Sequence, residues 1–240
     1  RNKRRDYSLI FNIEEEEVAL SQKEWLNNPK KFKALPGNID LDSLTSAEGL
    51  VLPQHVGGDI GLRFLTSAEE LVLPKSIGGS IYLWLLASAE GLVLPQHVGG
   101  DIDLRSLTSA EGLVLPESIG GSIYLSSLTS AEGLVLPKSI GYSINLRFLT
   151  NAEGLVLPES IGGSIDLNSL TSADGLVLPQ HVGGRIYLRS LTNADGLKLP
   201  YDFDLNKLNC PYNIKEEIMN NPDKYYMKPP TEEDKKGIKR

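Results

Sequence analysis

The sequence lacks features that define several common classes of protein. Its single cysteine, Cys210, excludes an internal disulfide framework and any zinc or iron–sulfur site built from several cysteines. No segment approaches the roughly 18 consecutive apolar residues that a membrane-spanning helix needs. Residues 1–30 are highly charged and are not patterned as a secretory signal. We therefore expect no membrane-spanning helix. These features do not decide the cellular compartment, although they favour the cytoplasm.

Sequence motifs for catalysis are also missing. The chain has no G-x-S-x-G, no H-E-x-x-H and no glycine-rich phosphate loop that leads into a helix. Cys210 precedes Pro211 without a histidine nearby in sequence, so we interpret it as a small apolar residue rather than a nucleophile. We expect no catalytic activity and no cofactor. Because the sequence begins at Arg1 rather than Met, we also interpret it as part of a longer chain.

The dominant feature of the sequence is a repeat of 21 residues. Seven full copies fill residues 53–199 with the pattern P-x-[HS]-[VI]-G-G-x-I-x-L-x-x-L-T-[SN]-A-[ED]-G-L-V-L, counted here from proline as position one. Shortened copies begin at Pro36 and Pro200. Units of fixed length and nearly constant sequence are typical of proteins in which repeats stack and share a core. The prolines that mark the repeat are Pro53, Pro74, Pro95, Pro116, Pro137, Pro158, Pro179 and Pro200.

The copy Pro116–Leu136 predicts the local structure. Apolar residues alternate in Ile123–Leu125 and again in Leu134–Leu136, which is typical of strands with one buried face. No segment between corners is long enough for a helix. Gly120–Gly121 is expected to form one corner with positive φ, and Thr129–Gly133 the other. We therefore predict an all-β fold, a β-solenoid of stacked coils with two strands per unit.

The segments outside the repeat suggest caps. We assign residues 1–35 to a charged segment with a helical cap, residues 36–209 to the solenoid, and residues 210–240 to a second helical cap and a flexible tail. The segments Glu24–Phe32 and Glu217–Tyr225 have similar sequences, which indicates related helical units. Such caps would cover the open strand edges at both ends of the stack.

Equal positions of stacked coils form columns, and two of these columns carry titratable groups. His55, His97 and His181 share the third position, but His55 and His97 would lie about 10 Å apart, too far to share a metal ion. We expect turn residues there and no metal site. The seventeenth position is always acidic, and we interpret it as closing a turn, with a cation or a basic partner as the alternative. Its members are Glu48, Glu69, Glu90, Glu111, Glu132, Glu153, Asp174 and Asp195.

Two further columns point outward. The twentieth position holds valine in all copies but the last, Lys198, and this stripe reflects either β-propensity or a surface covered by another domain or copy. The ninth and eleventh positions vary between copies and are rich in Tyr, Trp and Arg, which are enriched in binding hot spots. The alternative for this second pair is solvated decoration, with Arg paired to Asp103 or Asp166. Our candidate partner-binding residues are Tyr82, Trp84, Arg105, Tyr124, Arg147, Tyr187 and Arg189.

The string L-P-E-S-I-G-G-S-I-Y-L-S-S-L-T-S-A-E-G-L-V-L-P at residues 115–137 resembles the leucine-rich-repeat-like tandem arrays of bacterial and phage proteins. The resemblance covers residues 36–208 and implies no common activity. The chain departs from ordinary leucine-rich repeats because it lacks the Asn of L-x-x-L-x-L-x-x-N and has two alternating segments per unit. A compact β-solenoid is therefore favoured over a horseshoe with helices on its convex side.

These observations favour a non-enzymatic scaffold that binds another protein through its outward Tyr/Trp/Arg strand face. The alternative is a structural or self-assembling module, or an accessory domain of a larger complex, that uses the exposed valine column. A net charge of -7 does not favour nucleic-acid binding.

Overall fold

The computed structural model describes residues 34–229, which form a β-solenoid of two parallel sheets, and the all-β prediction is confirmed. Each coil contributes one strand of two residues to each sheet, on either side of the Gly–Gly corner. Sheet A contains β1 (Ala34–Leu35), β3 (His55–Val56), β5 (Ser76–Ile77), β7 (His97–Val98), β9 (Ser118–Ile119), β11 (Ser139–Ile140), β13 (Ser160–Ile161) and β15 (His181–Val182). Sheet B contains β2 (Ile39–Asp40), β4 (Ile60–Gly61), β6 (Ile81–Tyr82), β8 (Ile102–Asp103), β10 (Ile123–Tyr124), β12 (Ile144–Asn145), β14 (Ile165–Asp166), β16 (Ile186–Tyr187) and β17 (Leu208–Asn209).

One predicted strand of each unit is wrong. The structure places a strand at Ser118–Ile119, before the Gly–Gly corner, and none at Leu134–Leu136. The alternation at Leu134–Leu136 does report an extended backbone with one buried side, since Leu134 is buried and Val135 is exposed. A strand also needs ladder hydrogen bonds to neighbouring coils. In residues 34–229, this side of the coil shows only the isolated bridges Val177–Lys198 and Leu199–Tyr226.

The core is a set of apolar columns that runs the length of the solenoid. In the copy Pro116–Leu136, the side chains of Ile119, Ile123, Leu125, Leu128, Ala131 and Leu134 are all buried. Equivalent residues of neighbouring coils lie directly above and below, because the strands pair in register at a separation of 21 residues from β1 to β16. A single coil has neither ladder partners nor a closed core, so the coils stabilise one another.

The Gly–Gly corner is required by packing rather than by backbone conformation. Its glycines do not have positive φ, which corrects the prediction for Gly120–Gly121. A Cβ added to Gly120 would overlap the carbonyl oxygen of Gly99 in the preceding coil, and the same relationship joins Gly78 to Gly57. The left-handed glycine at the other corner is confirmed, with φ of 74° at Gly133.

A helical cap follows the last coil, as predicted. A short 3-10 helix at Leu205–Lys207 leads into α1 (Tyr212–Asn220) and α2 (Pro222–Tyr225). Tyr225 is buried in the core cluster. The predicted N-terminal cap and the tail from residue 230 lie outside the described residues. Among residues 34–229, no helix is long and apolar enough to cross a membrane.

Candidate functional site

The outer surface of sheet B carries the candidate binding residues. Along each strand, the isoleucine at position eight and the leucine at position ten enter the core, so positions nine and eleven project outward. Trp84 is half-buried while its neighbour Leu83 is fully buried. We call this surface the aromatic–arginine face. It consists of Arg63, Tyr82, Trp84, Arg105, Tyr124, Arg147, Tyr187 and Arg189.

Four of these residues form a compact group, the arginine–aromatic cluster: Arg63, Tyr82, Trp84 and Arg105. The guanidinium of Arg63 lies 4.4 Å from the Tyr82 ring centroid and 4.8 Å from that of Trp84. Arg105 lies on the following coil, and its guanidinium is 4.2 Å from the ring centroid of Trp84. Tyr82 and Trp84 meet edge to face with centroids 6.4 Å apart. These distances are within the range of cation–π and T-shaped aromatic contacts, so the four side chains stabilise one arrangement.

Two aspartates hold the arginines of this cluster in place. Asp42 forms an ion pair with Arg63 and also accepts the backbone N–H of Arg63 at 2.9 Å. Asp103 accepts Nε–H of Arg105 at 3.0 Å and forms an ion pair with Nη2. The hydrogen bond that Arg105 donates to Asp103 raises the pKa of Arg105.

The alternative interpretation, in which arginines of this face pair with Asp103 or Asp166, is confirmed for Asp103 only. Arg105 pairs with Asp103, whereas Asp166 accepts the backbone N–H of Asn168 at 3.1 Å. Asp103 itself is only 2 % exposed, so it supports Arg105 from beneath instead of meeting solvent.

The cluster contains donors that the protein does not satisfy. Within residues 34–229, Nε1 of Trp84 and Nε of Arg63 are buried without a hydrogen-bond partner. A buried donor left unpaired costs about 1–3 kcal/mol. Such groups are uncommon in folded proteins and concentrate where function needs them.

The remaining candidate residues lie apart from the cluster. Arg147 stacks on Phe148 with 6.0 Å between guanidinium and ring centroid. Arg189 stacks on Tyr187 at 5.2 Å and donates to Asn209 at 3.4 Å. With coils about 4.8 Å apart, Arg147 lies roughly 10 Å from Arg105 along the axis. The structure therefore brings together Tyr82, Trp84 and Arg105, and it pairs Tyr124 in register with Asp103 on the next strand. Arg147 and the Tyr187–Arg189 pair lie apart from the cluster.

Sequence reasoning missed an apolar column beside this face. Position twelve, serine in most copies, is Phe64, Leu85 and Phe148 in three of them, and these side chains are 55, 45 and 51 % exposed. The sequence could have revealed this column, because at each of these positions a large apolar residue replaces the small polar residue of the other copies. Phe64 and Leu85 occur in the same copies as Arg63 and Trp84, so the apolar surface is concentrated beside the cluster.

The histidine column lies in strands rather than turns, which corrects the prediction. His55, in β3, forms a hydrogen bond through Nδ1 with Oγ of Ser76 at 2.8 Å. In residues 34–229, no group of three or more His, Cys, Asp or Glu side chains could hold a metal ion. Cys210 is half-buried, and burial raises the pKa of its thiol.

We expected the acidic column to close the turn, but its carboxylates do not. Serine or asparagine at position fifteen does so: Ser130 Oγ accepts the backbone N–H of Glu132 at 3.1 Å, and Asn151 does the same for Glu153. The carboxylates are thereby left at the surface. The last of them, Asp195, contacts Lys224 of the C-terminal cap at 2.9 Å.

Comparisons with known proteins place the chain in no established class. No family model matches it. No curated protein and no solved structure is significantly similar to it.

Proposed function

We propose that this protein is a non-enzymatic scaffold that binds a protein partner through the aromatic–arginine face. The observation that carries the proposal is the arginine–aromatic cluster of Arg63, Tyr82, Trp84 and Arg105. Stacking and the ion pairs to Asp42 and Asp103 restrain these side chains before any partner arrives. A restrained contact surface loses less conformational entropy on binding.

The chemistry of the cluster indicates the kind of partner surface. Trp, Tyr and Arg dominate interface hot spots. The exposed side chains of Phe64 and Leu85 add apolar area beside them. The side chain of Arg105 is 45 % exposed, so its guanidinium offers hydrogen-bond donors at the surface of the cluster. A complementary partner therefore presents apolar side chains together with carboxylate or carbonyl oxygens.

A single-tryptophan variant tests the proposal directly. The chain has two tryptophans, so Trp25→Phe leaves Trp84 as its only indole reporter. Peptides selected from a displayed random library on this protein would be titrated by calorimetry and by Trp84 fluorescence. We expect them to shift Trp84 emission and to bind about tenfold or more weakly when Arg105→Ala is added.

The control is a substitution on a different surface, Val114→Ser, which should leave the affinity unchanged. The Trp84→Ala, Arg105→Ala double variant should abolish binding while retaining the circular dichroism spectrum of the parent. Selected peptides that bind this double variant with the parental affinity would show that the face assignment is wrong.

A further inference from the structure

A second outward surface of the solenoid is apolar over most of its length. We call it the valine face, and it consists of Val51, Val72, Val93, Val114, Val135, Val156 and Val177 at position twenty. The five central valines are 73–75 % exposed, and they repeat at every coil. A continuous apolar stripe of this kind marks an interaction surface more often than scattered apolar residues do.

The two borders of the valine face differ in charge. On one side lies the acidic column at position seventeen, three residues before each valine and exposed in every described copy. On the other side, position two carries Lys75 and Lys138 but also Glu117 and Glu159, so its charges cancel. The face therefore offers an apolar strip with a negative border on one side only.

The C-terminal segment of the chain stacks on the last coil, at the end of this face. Leu199 donates its N–H to Tyr225 and accepts that of Met227, which adds one more extended segment to this side of the solenoid. Met227 lines a shallow groove of about 620 Å³ together with Val156 and Val177. Both end valines are less exposed than the central ones, at 42 % for Val51 and 49 % for Val177.

The same segment also meets the acidic column. Lys224 binds Asp195 at 2.9 Å, three residues before Met227 reaches the groove of the valine face. The chain thus places a cation on the carboxylate border and an apolar side chain on the valine strip, with the spacing Lys-x-x-Met.

We propose that the uncovered part of the valine face, from Val72 to Val156, binds a Lys/Arg-rich segment of another protein that presents apolar residues between its cations. Its ammonium or guanidinium groups pair with the acidic column, as Lys224 does with Asp195. Its apolar side chains cover the valines, in the manner in which Met227 lines one groove with Val156 and Val177. This site is separate from the aromatic–arginine face and does not depend on the function proposed for that face.

A second copy of this chain fits the surface less well. Seven coils at about 4.8 Å and a strip roughly 10 Å wide give about 340 Å² per copy, against about 800 Å² per partner in a stable dimer. Two chains of charge -7 would also repel each other. A short basic segment needs less area for a transient contact and gains from the charge of the border.

The probe is a synthetic peptide of three tandem copies of Lys-Ser-Gly-Met, titrated into the full chain by calorimetry. We expect it to bind, with an affinity that falls as salt rises. The triple variant Val93→Ser, Val114→Ser, Val135→Ser should weaken binding about tenfold or more, as should Glu90→Gln, Glu111→Gln, Glu132→Gln. These side chains are exposed, so the variants should fold. Trp84→Ala, on the other face, should bind normally.

Several results would overturn the proposal. One is the absence of binding by the lysine–methionine peptide. Another is equal binding of a control peptide with Glu in place of Lys, which would show that the acidic column does not contribute. A third is equal binding of a peptide with Ser in place of Met, which would show that the valines do not contribute. A dimer seen by light scattering that the Val→Ser variant abolishes would assign the face to a second copy instead.

Discussion

The buried carboxylate of Asp103 holds the guanidinium of Arg105 over the ring of Trp84, one coil away. Two columns of the repeat, positions nine and eleven, are thereby linked by one residue that is itself almost hidden from solvent. The position of Arg105 in any partner contact depends on Asp103, which makes the pair the most direct test of the cluster.

Asp103→Asn should loosen Arg105 without a change in side-chain volume. We expect the free energy of unfolding to fall by about 1 kcal/mol, because a charge-assisted hydrogen bond becomes a neutral one. Trp84 emission in the Trp25→Phe background should shift as Arg105 leaves the ring. The matched control is Asp166→Asn, which lies at the same repeat position but holds no arginine. An equal emission shift in both variants would contradict the arrangement.

The two glycine types should respond differently to alanine. At Gly120 the added methyl group would overlap the backbone of Gly99, and we expect a loss of about 3 kcal/mol. Gly175 has φ of 76° and open space around its Cα, so alanine there should cost only about 1–2 kcal/mol for the left-handed conformation. Urea denaturation of both variants compares the two effects. The reverse order of stability would refute packing as the reason for the Gly–Gly corner.

Glu70 offers a stabilising substitution. It occupies the left-handed position that other copies give to glycine, with φ of 61°. Glu70→Gly should raise the free energy of unfolding by about 1 kcal/mol because the strain of the Cβ is removed. Glu69→Gly, one residue earlier, removes the same charge but should destabilise by roughly 0.5–1 kcal/mol. If both variants were stabilised alike, charge rather than backbone conformation would be the cause.

The C-terminal cap should weaken in acid. Hydrogen bonds from Tyr225 and Lys224 lower the pKa of Glu217. A carboxyl group with a lowered pKa stabilises the fold above its unfolded pKa, and this contribution is lost as the pH falls through the folded value. The protection factors of the backbone amides in α1 and α2 should therefore fall below about pH 4 in the native chain. Glu217→Gln should exchange faster at neutral pH and show a smaller acid response; an unchanged response would exclude Glu217 as the group responsible.

The stack of coils and its outward columns could be predicted because the copies act as repeated observations of one structure. Val135 lies between positions that hold leucine in every copy, so its exposure followed from alternation alone. Trp84 follows a leucine that recurs in every copy, which placed it on the outward side of the strand. The periodicity also predicted the left-handed glycine at Gly133, since glycine recurs there at the end of a turn segment in every copy but one.

Relationships between coils could not be obtained in the same way. The alternation at Leu134–Leu136 equals that at Ile123–Leu125, yet only Ile123–Tyr124 pairs with neighbouring strands, because alternation reports burial and not hydrogen bonding. Asp103 was interpreted as outward-facing, and its burial arises where it lies between Tyr82 and Tyr124 and pairs with Arg105. The role of Ser130 was missed although serine often bonds the N–H two residues later in turns.

The in-register stacking of the coils also makes the solenoid a molecular ruler. The arginine–aromatic cluster lies near its beginning, while Lys224 and Met227 lie at its end. Addition or loss of whole units between them would leave every local contact intact and change their separation in steps of about 4.8 Å. Repeat number thus sets the distance between the cluster and the C-terminal cap.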